Sequence, residues 1–149
     1  MTLVIGYGNP LRSDDRLGQY LAQQLGRAWG VITRTQLMPE LAEPISKSAR
    51  VVFIDAGIGE TTGEITCEKV EPLPGKGAFS HNVTPPSLLA AAQELYGTTP
   101  EGILISITGV SFDYGCTFSP QIHSQLPEIV SRVEAITTAF FETPIEAEL

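Results

Sequence analysis

Apolar and polar positions along the chain follow two periods in turn, one suited to strands and one to helices. Leu3-Val4-Ile5 is a short apolar run that breaks into Gly6-Tyr7-Gly8-Asn9-Pro10, and an amphipathic stretch over 17–25 follows Asp14 and Asp15. That order predicts a buried strand, a tight loop and a helix with an acidic start. Residues 31–35, β-branched and preceded by Gly30, predict a second strand; Pro39 suits the first turn of a short helix whose regularity Pro44 limits. Residues 50–55 are almost continuously apolar, the pattern of a parallel strand covered on both faces. Residues 63–70 alternate, which predicts a half-exposed strand, antiparallel at an edge, with Cys67 as a packed thiol. Pro74, Gly75 and Gly77 punctuate a loop over 72–82.

Thr84-Pro85-Pro86-Ser87 opens a helix with a cap and an N1 proline, and Gly97 closes it. A buried strand over 103–110 and a loop over 111–120 come next. The last helix is expected to begin at Pro127, because a proline there interrupts any helix started at Ser119. Residues 143–149 form an acidic tail. The alternation predicts one three-layer α/β domain over 1–142, a mostly parallel twisted sheet of about five strands with helices on both faces and one antiparallel edge.

Composition narrows the partners. A chain of 149 residues with 42% hydrophobic and 17% charged residues is an ordinary globular domain with a real core. The formal charge of −8 speaks against nucleic acid or an anionic membrane, both of which need basic patches. No run reaches the length of a membrane span, and the first residues lack a signal-peptide core. Cys67 and Cys116 are far apart and have no metal-type spacing. A reduced, cytoplasmic setting and a monomer are the simplest expectation.

The chemistry concentrates at one edge. Asp15 follows the first strand and Asp55 ends the third, so parallel strands put both outside the carboxyl ends, where open α/β sheets bind ligands. His81 lies in the loop that a right-handed crossover brings over the same edge. Two carboxylates and one imidazole with open positions suit a divalent transition metal, and the absence of a cysteine argues against closed structural zinc. Taken singly, each has a plainer explanation. Asp14 stands as a helix cap worth about 1 kcal/mol, Asp55 equally caps a turn, and a loop histidine is usually solvated. His123 has no acidic companion and is read as structural or exposed. A dinucleotide site fits poorly. Leu11 replaces the third glycine of the fingerprint, and Asp14 and Asp15 would face the pyrophosphate.

Gly6-Tyr-Gly-Asn-Pro-Leu-Arg-Ser-Asp-Asp15 resembles the N-terminal signature of the hydrogenase maturation proteases, which trim the C-terminal tail of the large subunit of nickel–iron hydrogenases. The resemblance continues at Val51-Val-Phe-Ile-Asp-Ala56, Gly63-Glu64, Ser80-His81, the strand ending Ile107-Thr-Gly-Val110 and the Pro127 helix. It implies an endopeptidase acting on a hydrogenase large-subunit precursor, with Asp15, Asp55 and His81 as the trio that recognises nickel. That nickel is supplied by the substrate, and no organic cofactor is implied. Arg16 stands where many members have glycine, and Gln36-Leu-Met-Pro-Glu-Leu-Ala42 replaces a Gly-rich turn, resembling members that serve bidirectional, NAD-linked hydrogenases. There Arg16 is expected to pair with Asp14 or to contact the precursor, and Glu40 to initiate a helix. Two other functions stay open on the residues alone: a flavodoxin-like small-molecule binding module, and a non-catalytic nickel checkpoint for hydrogenase assembly.

Overall fold

A computed structural model describes residues 2–75 and 82–144. The strands are β1 (Thr2–Tyr7), β2 (Gly30–Arg34), β3 (Arg50–Gly57), β4 (Ile65–Val70) and β5 (Glu101–Thr108). The helices are α1 (Leu17–Leu25), α2 (Ala42–Ser46), α3 (Pro85–Tyr96) and α4 (Pro120–Glu142), with 3-10 turns at Ser13–Arg16 and Pro39–Leu41. The strands form one five-stranded sheet in the order β2-β1-β3-β5-β4, parallel except for the antiparallel β4–β5 edge. This is the predicted architecture.

Strand alternation divides the core into two layers. Leu3, Ile5, Val51 and Phe53 point to one face and meet Ile45 of α2 and Leu88 and Leu89 of α3. Val4, Val52, Ile54, Ile103, Ile105 and Ile107 point to the other and meet Leu17 and Leu21 of α1 and Ile122 and Val133 of α4. Asp55, in step with Val51 and Phe53, therefore belongs to the α2/α3 face. The strand order reverses between β1 and β3, so the carboxyl ends of these two strands flank the switch point where such sheets bind ligands.

Local signals placed α3 well. The Thr84 hydroxyl accepts from the Ser87 amide while the Ser87 hydroxyl accepts from the Thr84 amide, and Gly97 ends the helix at φ +75°. Two expectations fail. α4 starts at Pro120, not Pro127, and runs unbroken through Pro127. Pro127 and His123, whose carbonyl the proline deprives of its helical partner, are both exposed, while Ile122, Ile129 and Val133 bury a stripe on both sides of the proline. Cys67 is exposed instead of packed, because β4 is an edge strand in which four consecutive residues face solvent.

Candidate active site

The loop leaving β1 is shaped by close approach. A Cβ on Gly6 would lie 2.1 Å from the Gly18 carbonyl oxygen and 2.5 Å from the Ala22 Cβ, so only glycine lets α1 rest on the strand. Gly8 adopts φ +141°, and a Cβ there would meet the Asp15 carbonyl oxygen at 2.1 Å. The two glycines thus serve packing and the placement of Asp15. Asp15 is half-buried, and its Oδ2 accepts the Asn9 amide at 2.8 Å.

Asp55 lies on β3 opposite Ser106 of β5, and Tyr7 follows the Gly6–Ile54 pair of β1 and β3. The Tyr7 hydroxyl donates to Asp55 Oδ2 at 2.9 Å, and the Ser106 hydroxyl donates to Oδ1. Burial raises the Asp55 pKa above the usual carboxylate range. The Ser106 and Tyr7 hydrogen bonds oppose that rise, and the negative charge of Asp15 adds to it. Tyr7, whose hydroxyl holds Asp55, lines the same cleft as Asp15, so both carboxylates belong to one edge of the sheet. Burial and the same Asp55 charge hold the Tyr7 phenol far above its ordinary value, so it stays a donor.

Asp14 is not a cap. No side chain caps Ser13–Arg16 or α1, and Asp14 is wholly buried. Its Oδ2 accepts from the amides of Val110 (2.7 Å) and Ser111 (3.0 Å) and from the Ser119 hydroxyl (2.8 Å), while Oδ1 accepts from the Ser119 amide (2.8 Å). Burial alone would raise its pKa, but the Ser111, Ser119 and Val110 bonds outweigh burial and hold it below the usual value. Ser13, at φ +50° without being glycine, is held by its hydroxyl on the Asp113 carbonyl (2.9 Å) and its amide on the Gly115 carbonyl (3.0 Å). Residues 109–119 are thereby fastened along the segment that carries Asp15. Arg16 does not pair with Asp14. Its guanidinium donates to the Cys116 carbonyl and lies 5.3 Å over the Phe118 ring, tying the same two segments.

A cleft of about 540 Å³ opens beside the acid pair, lined by Tyr7, Gly8, Asp15, Met38, Asn82 and Val83 among others. A larger cavity of about 620 Å³ at the amino edge, around Arg27, Trp29 and Lys47, has no carboxylate, imidazole or thiol in its wall. His81 lies outside the described residues; Asn82, its successor, lines the cleft, and α3 packs on the face to which Asp55 belongs. Among the described residues no group of three His, Cys, Asp or Glu side chains is arranged to hold a metal ion. Two carboxylates alone are an incomplete set that needs further donors. Glu40 is exposed in the first turn of Pro39–Leu41, as helix initiation requires, and His123 is exposed on α4. Tyr7 and Ser106 escaped sequence reasoning. The available signal was Ser106, the one polar residue within the apolar run 103–107.

Fold and site together define an α/β domain with paired carboxylates at the switch point of its sheet. Its fold is shared with hydrogenase maturation endopeptidases. Over 91% of this chain and 90% of theirs, it matches the hydrogenase maturating endopeptidase HybD from E. coli with a TM-score of 0.66 and 17% identity. The [NiFe] hydrogenase maturation protease HybD from Thermococcus kodakarensis matches with a TM-score of 0.68 and 21% identity over 91% and 98% of the two chains. HycI, a [NiFe] hydrogenase maturation protease from Thermococcus kodakarensis KOD1, matches at 0.67 and 24% over 92% of each. No family model matches the chain, and no curated protein does. Among the described residues, no helix is long and apolar enough to cross a membrane.

Proposed function

We propose that this chain is an endopeptidase that removes the C-terminal extension of a nickel–iron hydrogenase large-subunit precursor after nickel insertion. Asp15, Asp55 and His81 hold the substrate's nickel, and residues 1–142 form the working domain, with 143–149 an acidic tail. The observation that carries this reading is a cleft walled by Asp15 and by Tyr7, whose hydroxyl holds Asp55, in a fold shared with hydrogenase maturation endopeptidases. The trio grips the nickel and so sets the position of the scissile peptide against the cleft. A carboxylate of the trio would serve as base toward the attacking water, and the substrate's nickel, when bound, would supply polarisation of the carbonyl. The test is incubation with nickel-loaded and nickel-free precursor, followed by intact mass of the large subunit. Trimming of the loaded form alone is expected. Binding without loss of mass would leave only a checkpoint role.

Two oxygen ligands and one imidazole hold nickel weakly, so the full shell forms only with thiolates of the substrate. The isolated protein is therefore expected to purify largely metal-free, and chelator is expected to leave its melting temperature unchanged, unlike a structural zinc domain. A stoichiometric metal that survives dialysis against chelator, with cleavage of nickel-free precursor, would instead mark a self-contained metallopeptidase.

The acid limb of activity follows from His81, whose imidazole must be neutral to ligate, and from Asp55. The Asp55 carboxylate must be ionised to hold the metal, and its pKa in the free protein is raised by burial and by Asp15. Because kcat/KM reports the free enzyme, its acid limb is expected above the usual carboxylate range.

A further inference from the structure

We propose that Tyr7 and Ser106 are positioning residues that clamp the Asp55 carboxylate from both sides and set the direction in which it meets the substrate's nickel. This rests on the function proposed above. The three residues form one rung across β1, β3 and β5: Asp55 and Ser106 are in register, and Tyr7 stands one residue beyond the Gly6–Ile54 pair. Each carboxylate oxygen takes one hydroxyl, Oδ2 from Tyr7 at 2.9 Å and Oδ1 from Ser106. The terminal torsion of an aspartate is broad when left free. Donors on two different strands remove that freedom, because the ladder fixes both donors. One lone-pair position on each oxygen stays open for a metal or a proton.

Asp55 depends on this pair more than its neighbours depend on theirs. Asp14 takes three backbone amides and Asp15 takes one. Among the described residues, the two hydroxyls are the donors that Asp55 has, and no ion pair engages it. Tyr7 packs against the core of the α2/α3 face and also lines the cleft, with its hydroxyl on Asp55. Phenylalanine would fill that core equally well. Ser106 interrupts a strand whose neighbours are all aliphatic, where a hydroxyl adds nothing to packing.

The decisive variant is Tyr7→Phe, which keeps the ring and deletes the donor. With nickel-loaded precursor, kcat is expected to fall about ten- to a hundredfold, the loss of one hydrogen bond to a charged group. KM should stay within about twofold. Ser106→Ala should behave alike, and Ser106→Thr, which restores the hydroxyl on a strand that suits it, should recover most of kcat. Unchanged kcat in Tyr7→Phe, or a change confined to KM, overturns the proposal. The protein alone supplies a second measurement, the carboxylate 13C resonance of Asp55 at neutral pH, identified by its loss in Asp55→Asn. It should move in Tyr7→Phe and in Ser106→Ala while that of Asp15 stays; a fixed Asp55 resonance overturns the clamp. If the wild-type protein cuts no precursor, the proposed function fails, and the resonance alone decides the clamp.

Discussion

Asp14→Ala is expected to destabilise the protein by roughly 3–5 kcal/mol, among the largest losses available to a single substitution here. The wild-type carboxylate is wholly buried and satisfies three backbone amides and the Ser119 hydroxyl. Truncation strands those donors in a site shaped for an anion, and each buried unsatisfied donor costs about 1–3 kcal/mol. Some of the amides will recapture water, which keeps the total below the sum. For a domain of this size the melting temperature should fall by on the order of 10 °C. Asp14→Asn should recover little, because its amide nitrogen would point a donor at donors. Acid makes the same point. The folded pKa of Asp14 is depressed below 3.8, so its contribution is complete above pH 3.8 and is lost as pH falls below that value through the folded pKa. In Asp14→Ala this part of the acid slope should vanish. Urea unfolding at pH 7 and at acid pH measures both effects, and a loss near 1 kcal/mol would return Asp14 to the rank of an ordinary cap.

That contrast shows where sequence reasoning reaches its limit. The strand–loop–acid order at the start of the chain predicted the placement of Asp15, and the β1–β3 switch point brought Asp55 to the same edge. Both are local patterns combined with a handedness rule. The Thr84 cap and the Gly97 stop were legible because capping partners lie within four residues. The partners of Asp14 lie about a hundred positions away, where no local pattern points to them. Pro127 misled for the same reason. Its penalty is local, while the apolar stripe that carries α4 through it belongs to the tertiary core. Cys67 followed an alternation that a strand covered on one face would have honoured, but the edge position of β4 exposes both sides. Tyr7 stands in the break that follows the apolar run, and only its register beside Asp55 turns its hydroxyl into a donor to the site.

The largest functional effect is expected at the trio, combined with almost no loss of stability. Asp15→Asn, Asp55→Asn and His81→Ala should each lower processing of nickel-loaded precursor by about a thousandfold or more, because ligands that grip one ion act as a unit. For Asp55 the stability sign runs opposite to that of Asp14. Its folded pKa is raised, so above that pKa the folded state carries a penalty that the unfolded state escapes. Asparagine carries no charge and avoids the penalty, although its hydrogen bonds to Ser106 and Tyr7 are weaker. The balance predicts that Asp55→Asn is as stable as the wild type at neutral pH, or slightly more so, within about 1 kcal/mol. Below the ordinary carboxylate range both states are protonated and this penalty disappears, so the comparison should there turn against the variant. A site residue held at the expense of stability behaves in this way; a structural carboxylate such as Asp14 does the reverse. Intact-mass assays of processing, run beside urea unfolding of the same variants, read the two signs together. Near wild-type trimming by any one variant would remove that residue from the site, and a stability loss above about 2 kcal/mol in Asp55→Asn would make it a structural group.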